Sequence, residues 1–400
     1  MLNVPKLRFG EFEGEWVEKK LGDISEKIGS GKTPKGGDKV YLKEGIPFIR
    51  SQNVIENKLV LDDIHISEDI HKEMQNSKVF VNDILLNITG GSIGRSCIVP
   101  TNFLEGNVNQ HVSIIRLKED SPKFVQSILS SWRGQKLIFQ GQTGSGREGL
   151  NFQSIKGFKI KLPQKQEQQK ISTYLTSIDQ KTEQLTQKRT LLESYKKGVM
   201  QKIFSQELRF KRDDGGEFED WEFKHGNEVF ETISNKKHNS DLPILAISQK
   251  YGAIPRELID YEINVSTKSV DSYKVVEVGD FIISLRSFQG GIEYSNYLGI
   301  CSPAYIILRQ KIEINRDFFK FYLKTHSYIQ ELKKKLEGIR DGKMISYKYF
   351  SEIKLPLPCL EEQQKISTFL TSLDQKITQT TQQIEAMKSF KKGLLQEMFV

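Results

Sequence analysis

The sequence predicts an α+β chain: two pseudo-two-fold-related globular blocks, each of small twisted β-sheets with helices, separated by two long helices that form an antiparallel coiled coil. Three observations predict it. First, EQQKISTYLTSIDQK at residues 167–181 returns as EQQKISTFLTSLDQK at residues 362–376. The match extends without a gap from 167–204 to 362–399, identical at 22 of 38 positions. Second, the segments ahead of each helix echo one another. LRF at 7–9 returns at 208–210, EFEGEW at 11–16 as EFEDW at 217–221, NDILL at 82–86 as GDFII at 279–283, and IKLP at 160–163 at 353–356. Third, what lies between these echoes diverges and is rich in turn residues. The chain therefore divides into a first block at 1–163, a first long helix at 164–206, a second block at 207–358 and a second long helix at 359–400.

Each long helix is predicted by its own signals. Pro163 precedes the first, and Pro356 and Pro358 the second, where proline stops the preceding element. No proline or glycine interrupts either segment until Gly198 and Gly393. Apolar residues recur at sevens: Ile171, Ile178, Leu185, Leu192 and Val199, then Ile366, Leu373, Met387 and Leu394, with Thr380 in the third place of the second series and Leu370, Ile377, Ile384 and Met398 flanking. A sustained seven-residue period is a coiled-coil signature. Two like helices with their blocks at opposite ends pair antiparallel, as a two-fold requires. At about 1.5 Å per residue, 38 residues form a rod of roughly 57 Å, or about 17 base pairs of duplex at about 3.4 Å each. Blocks at the ends of such a rod could read half-sites about one helical turn apart. The outer faces are crowded with Gln, Lys, Thr and Glu, as in QKTEQLTQKR at 180–189, and are read as a solvated surface or a docking face for partners.

Bulk composition bounds the rest. The 400 residues suffice for two to three domains, and 37% hydrophobic with 28% charged residues is ordinary for a globular chain rather than a disordered one. Lys and Arg (59) exceed Asp and Glu (51) by a net +8, a lean towards a polyanionic partner. Cys97, Cys301 and Cys359 lack C-x-x-C spacing, which argues against a disulfide framework or a thiolate metal site and for a reducing compartment. No signal peptide or apolar run of about 20 residues is present, so the expected location is cytoplasmic with no membrane partner.

Several motifs resemble chemistry without carrying it. GSGKT at 29–33 looks like the end of a phosphate-binding loop, but the full pattern needs glycine at Glu26. Leu21, Ile24 and Ile28 ahead of it have helical spacing, and Pro34 follows at once. TGGSIGR at 89–95 reads as a strand ending in a tight turn, with no βαβ unit behind it. Asp341 with Glu352 and Lys354 loosely resembles a nuclease triad, but Lys159 stands in the first copy where Glu352 stands in the second. The six histidines show no H-x-x-x-H pair on a predicted helix, so no metal site is expected.

What remains is a set of polar loops. The first block offers Lys32 and Lys35; Arg50, Gln52 and Asn53; Thr89, Ser92 and Arg95; Asn109 and Gln110; and Gln142, Ser145 and Arg147. The second offers Gln249, Lys250 and Tyr251; Arg286, Ser287 and Gln289; and Arg340 with Lys343. Arg pairs with guanine and Asn or Gln with adenine in the major groove, while Lys and Ser or Thr mostly hold phosphates. Glycine beside them lets backbone approach a duplex. Both copies place Arg, Gln and Gly in comparable turns, so double-stranded DNA is the expected ligand.

With its two divergent blocks and duplicated helices, their starts LPQKQEQQKI and LPLPCLEEQQKI, the S-(Y/F)-KKG motif near each helix end, and the stretches IPFIRSQNV and DILLNITGGSIGR, the chain resembles the specificity subunits of type I restriction–modification systems over its whole length. The resemblance implies two target-recognition domains, each reading half of a bipartite site, with the helices as a ruler. It implies no active site and no cofactor in this chain. Two methyltransferase subunits using S-adenosylmethionine would modify adenine, and two ATP-dependent, Mg²⁺-requiring restriction subunits would translocate and cleave. LPILAISQKYG replaces IPFIRSQNV in the second block, and LRSFQGG replaces NITGGSIGR, so the two half-sites are expected to differ. The alternative is a coiled-coil DNA-binding or adaptor protein outside a restriction system.

Overall fold

The computed structural model of the chain describes residues 4–55, 57–143, 149–238, 241–259, 267–334 and 345–400. It divides into two compact units, Met1–Thr186 with Gln382–Val400, and Gln187–Thr381. Each unit contains one block together with the start of one long helix and the end of the other.

The two units share one plan. In the first, a four-stranded antiparallel sheet runs in the order Ser25–Ser30, Val112–Leu117, Ile84–Asn87, Ser96–Ile98. In the second the order is Phe230–Ile233, Ile306–Gln310, Phe281–Ile283, Glu293–Tyr294. The central strands are short apolar runs buried on both faces, as ILLN at Ile84–Asn87 shows, because side sheets and helices cover them. A second pair of strands ties each block to its helix. Val17–Lys20 pairs with Lys159–Leu162, and Glu222–His225 with Lys354–Leu357. The repeated IKLP segments are thus edge pairs that lead straight into the long helices.

One local expectation is corrected. The helical spacing of Leu21, Ile24 and Ile28 yields a helix only over Leu21–Ile24, and Ile28 lies in the strand Ser25–Ser30. Pairing with the central strand at Ile115 overrides the local period.

The long helices run over Lys165–Phe204 and Leu360–Glu397. Each start is fixed by the same lock. Glu167, 1% exposed, accepts from Arg8 Nε at 2.8 Å and Nη2 at 2.7 Å and from Trp16 Nε1 at 3.3 Å. In the second unit Glu362, fully buried, accepts from Arg209 Nε at 3.2 Å and Nη2 at 2.8 Å and from Trp221 Nε1 at 2.8 Å. The next residue bonds across the helix start in both copies. Gln168 donates to Pro163 O and accepts from Ser121 N; Gln363 donates to Pro358 O and accepts from Asn315 N. A buried carboxylate is tolerated because a bidentate guanidinium and an indole N–H satisfy it.

Within each unit the end of one long helix lies antiparallel to the start of the other. In the first, Ile171, Leu175 and Ile178 share a core with Leu394, Met398 and Phe399, and Asp179 pairs with Lys391. In the second, Val199 and Ile203 share a core with Ile366, Leu370 and Leu373, and Lys196 pairs with Asp374 at 2.5 Å. Helix-end phenylalanines finish each core: Phe399 packs on Trp16 and Phe124, and Phe204 on Phe318, itself against Trp221. Ile171, Ile178, Leu185, Val199, Ile366, Leu373 and Leu394 are all buried, whereas Leu192 and Met387 are half-buried.

Candidate nucleic-acid interface

In the first unit the polar loops converge at one end of the four-stranded sheet. The strand Ser25–Ser30 ends in Gly31, whose N–H donates to Asn109 O. A Cβ at Gly31 would lie 1.6 Å from Val108 O, so only glycine lets these two loops touch. Thr33 then bonds Gln110, and Asn109 N donates to Ile49 O at the end of the strand Ile46–Ile49. That strand runs into the 3₁₀ turn Ser51–Asn53. Asn87 donates to Ser51 O at 2.8 Å and to Ser92 Oγ at 3.1 Å, joining this turn to TGGSIGR. Thr89 bonds His111 Nδ1 at 2.6 Å, and Gln110 bonds His111 Nε2 at 3.2 Å. The hairpin of Gln142–Thr143 and Gly149–Leu150 completes the cluster, with Leu150 N donating to Ile88 O. Gly94, at φ +87°, turns TGGSIGR back onto the helix Trp132–Gln140, where Gln135 donates to its carbonyl.

The chemistry of this end is cationic and amide-rich. Lys32, Lys35, Gln52, Arg95 and Gln110 are exposed, and Arg50, Thr89, Ser92, His111 and Gln142 are half-buried. Asn53 and Asn109 are buried and spend their side chains on the loops themselves: Asn53 donates to Val60 O and accepts from Arg50 N, and Asn109 accepts from His111 N. Ser145 and Arg147 lie outside the described residues.

The second unit brings two of its predicted loops together. Gln249, after the strand Leu245–Ser248, donates to Arg286 O at 3.2 Å, and its side chain lies against Gly290. Lys250 Nζ sits 4.7 Å from the Tyr251 ring centroid, and both backbone N–H groups approach Ser248 Oγ. Gln249, Lys250, Tyr251, Arg286 and Gln289 are exposed, whereas Ser287 is buried and its Oγ accepts from Ser284 N. Arg340 and Lys343 lie outside the described residues.

Sequence reasoning missed two carboxylates at the strand ends opposite these loops, and one among the loops of the first unit. Asp83 takes both oxygens into a bidentate pair with Arg116, at 2.8 Å each, and Asp280 does the same with Arg309. Both arginines are held above the usual guanidinium range, chiefly by these hydrogen bonds. The repeated N-D and G-D ahead of ILL and FII was the available signal. Asp62, which bonds Arg50 and Gln52, had no counterpart to betray it.

GSGKT is not a phosphate cradle. It runs from a strand into an irregular loop held by Gln110 and opens no α-helix. Among the described residues no group of three or more His, Cys, Asp or Glu could hold a metal ion, and no helix is long and apolar enough to cross a membrane.

The model of the type I restriction modification DNA specificity domain matches residues 13–194 and again 218–388. The putative type I restriction enzyme MjaX specificity subunit of Methanocaldococcus jannaschii is 27% identical over 419 residues, covering 98% of this chain and 95% of its own. The MjaVIII specificity subunit of the same organism is 25% identical, covering 95% and 91%. The S subunit of a type I system from M. genitalium shares the fold with a TM-score of 0.60 at 17% identity, covering 99% of each chain. A chain from a study of complex assembly and conformational transition in the type I R-M system gives 0.59 at 17%, covering 97% and 98%.

Proposed function

The chain belongs to the type I restriction–modification DNA specificity family, with two recognition domains, and from that membership we propose that each unit reads one half of an asymmetric bipartite duplex site. The observation that carries the proposal is the convergence of sequence-distant loops at one end of the first unit's sheet, matched by the meeting of the Gln249 and Arg286 loops in the second. Exposed Arg and Gln side chains there suit base edges, and Lys32, Lys35 and Lys250 suit phosphates.

Specificity subunits of this family are generally not the catalytic ones. The reaction then belongs to partners: methyltransferase subunits carrying S-adenosylmethionine to adenine, and restriction subunits using ATP and Mg²⁺. The helix pair sets the distance between half-sites, and its solvent-facing Gln, Lys and Thr side chains, such as Gln169 and Gln364, offer docking faces. Inserting four residues at one level of both long helices lengthens the rod by about 6 Å. That widens the preferred gap by about one or two base pairs at about 3.4 Å each; an unchanged gap would refute the ruler.

Mapping methylated adenines in cells with and without this chain tests the reading. The expected result is a bipartite motif with unlike halves that disappears with the chain. A map indifferent to the chain would leave an adaptor, which would bind duplex weakly and without regard to sequence.

A further inference from the structure

Asp62 lies twelve residues beyond Arg50 in sequence and beside it in space. Its Oδ2 accepts from Arg50 Nη2 at 2.6 Å and from Gln52 Nε2 at 2.8 Å, and its Oδ1 from Ile64 N at 3.3 Å. Asn53, in the same turn, closes the loop by accepting from Arg50 N and donating to Val60 O. Two side chains of the kind that read guanine and adenine therefore share one acceptor.

That arrangement has two physical consequences. Arg is long and flexible, and one fixed Nη2 removes much of the freedom it would otherwise lose on meeting a base. Only part of its fork is used: Arg50 Nε is buried with no partner among the described residues. Gln52 donates through Nε2 and keeps its carbonyl oxygen for a base edge. The carboxylate also offsets the arginine's positive charge. Burial pushes the Asp62 carboxyl up, but hydrogen bonds from Gln52, Arg50 and Asn53 and the charge of Arg50 outweigh it and hold it below the usual carboxylate range. It is therefore an anion at neutral pH. An anion close to a phosphate backbone costs general affinity, so its presence is explained only if it gains something else.

We propose that Asp62 is a positioning residue for specificity: it sets Arg50 and Gln52 in the geometry that reads the first half-site, and trades general attraction to duplex for discrimination between sequences. The proposal rests on the reading that this loop faces DNA. It goes beyond it by assigning the discrimination to a residue that touches no base.

The test uses the full chain assembled with its methyltransferase partners and the site defined by methylation mapping. Competition binding is measured on that duplex, on duplexes substituted in the first or second half, and on a scrambled duplex. Asp62→Ala and Asp62→Asn lower discrimination in the first half about tenfold and leave the second half unchanged. Both tighten binding to the scrambled duplex at low salt, with a salt slope steeper by about one. Asp62→Glu restores part of the discrimination. A merely structural role would loosen all four duplexes together, and that outcome overturns the proposal. Arg50→Ala separates the two readings. If it lowers first-half discrimination while Asp62→Ala does not, Asp62 positions nothing and the loop still reads DNA. If neither changes it, the loop does not face the first half-site and both readings fall.

Discussion

The helix-start locks and the polar loops proposed to read DNA stand in opposite relations to the internal repeat. The lock uses the same three residues in both units: an arginine from LRF, a tryptophan from the EFE segment and the glutamate of EQQK. The loops share a place in the fold and little else. Gly94 is held by Gln135 in the first unit, whereas the second packs Gly290 against Gln249. Even the layer beneath differs. Ser96 bonds Gln126 in the first unit, and Glu293 in the matching strand pairs with Lys324. Burial pushes Glu293 above the usual carboxylate range and Lys324 below that of a free ammonium. Duplication kept what sets a block on its helix and released the loops at the end of its sheet.

The largest effect comes from breaking a lock. Glu167→Ala leaves Arg8 and Trp16 without their acceptor in a buried site, a loss of about 3 kcal/mol. Denaturant unfolding should show the first unit melting early and the second unchanged, with Glu362→Ala giving the converse. Equal loss from both units in either variant would contradict separate locks.

Next come the loops. Arg50→Ala should cost about 1–3 kcal/mol of first-half discrimination with little change in the urea midpoint, the inverse of the lock variant. Competition binding and unfolding on the same preparation check both halves of that statement.

A smaller effect sharpens the contrast within the helix ends. Burial pushes Asp179 up, but Lys123 and Lys391 outweigh it and hold the carboxyl below its ordinary value. A depressed folded value means its stabilisation is complete above the unfolded value of about 4 and is lost as pH falls through the folded one. Asp179→Asn should cost about 1 kcal/mol at pH 7, and the gap to the parent chain should close as urea midpoints are followed towards pH 3.

The smallest effect has the opposite sign. Gly198 lies inside the first long helix with open space where a Cβ would be. Gly198→Ala should raise stability by about 0.5–1 kcal/mol, read as a higher urea midpoint. A lower midpoint would mean that the position is not an unconstrained helical one.

These contrasts mark what was legible in the sequence. The long helices were, because a seven-residue period and flanking prolines are local signals. So was the clustering of the polar loops, several of which the fold brings together, since Gly, Arg and Gln gather in turns in both copies. The lock was not. Glu167 looks like one more charged residue on a solvated face, and the arginine that buries it lies 159 positions upstream. Asp62 and His111 were missed for the same reason: each acts through a contact made only when the chain folds. Ile28 was misjudged because a strand neighbour, not its own period, decides its conformation.

The central claim is that two separable readers share one repeated frame. Its most direct test is a map of methylated adenines in cells carrying the parent chain, Arg50→Ala or Arg286→Ala. Each variant should relax one half of the motif and leave the other half and the gap intact. Degradation of both halves by either variant would contradict the account.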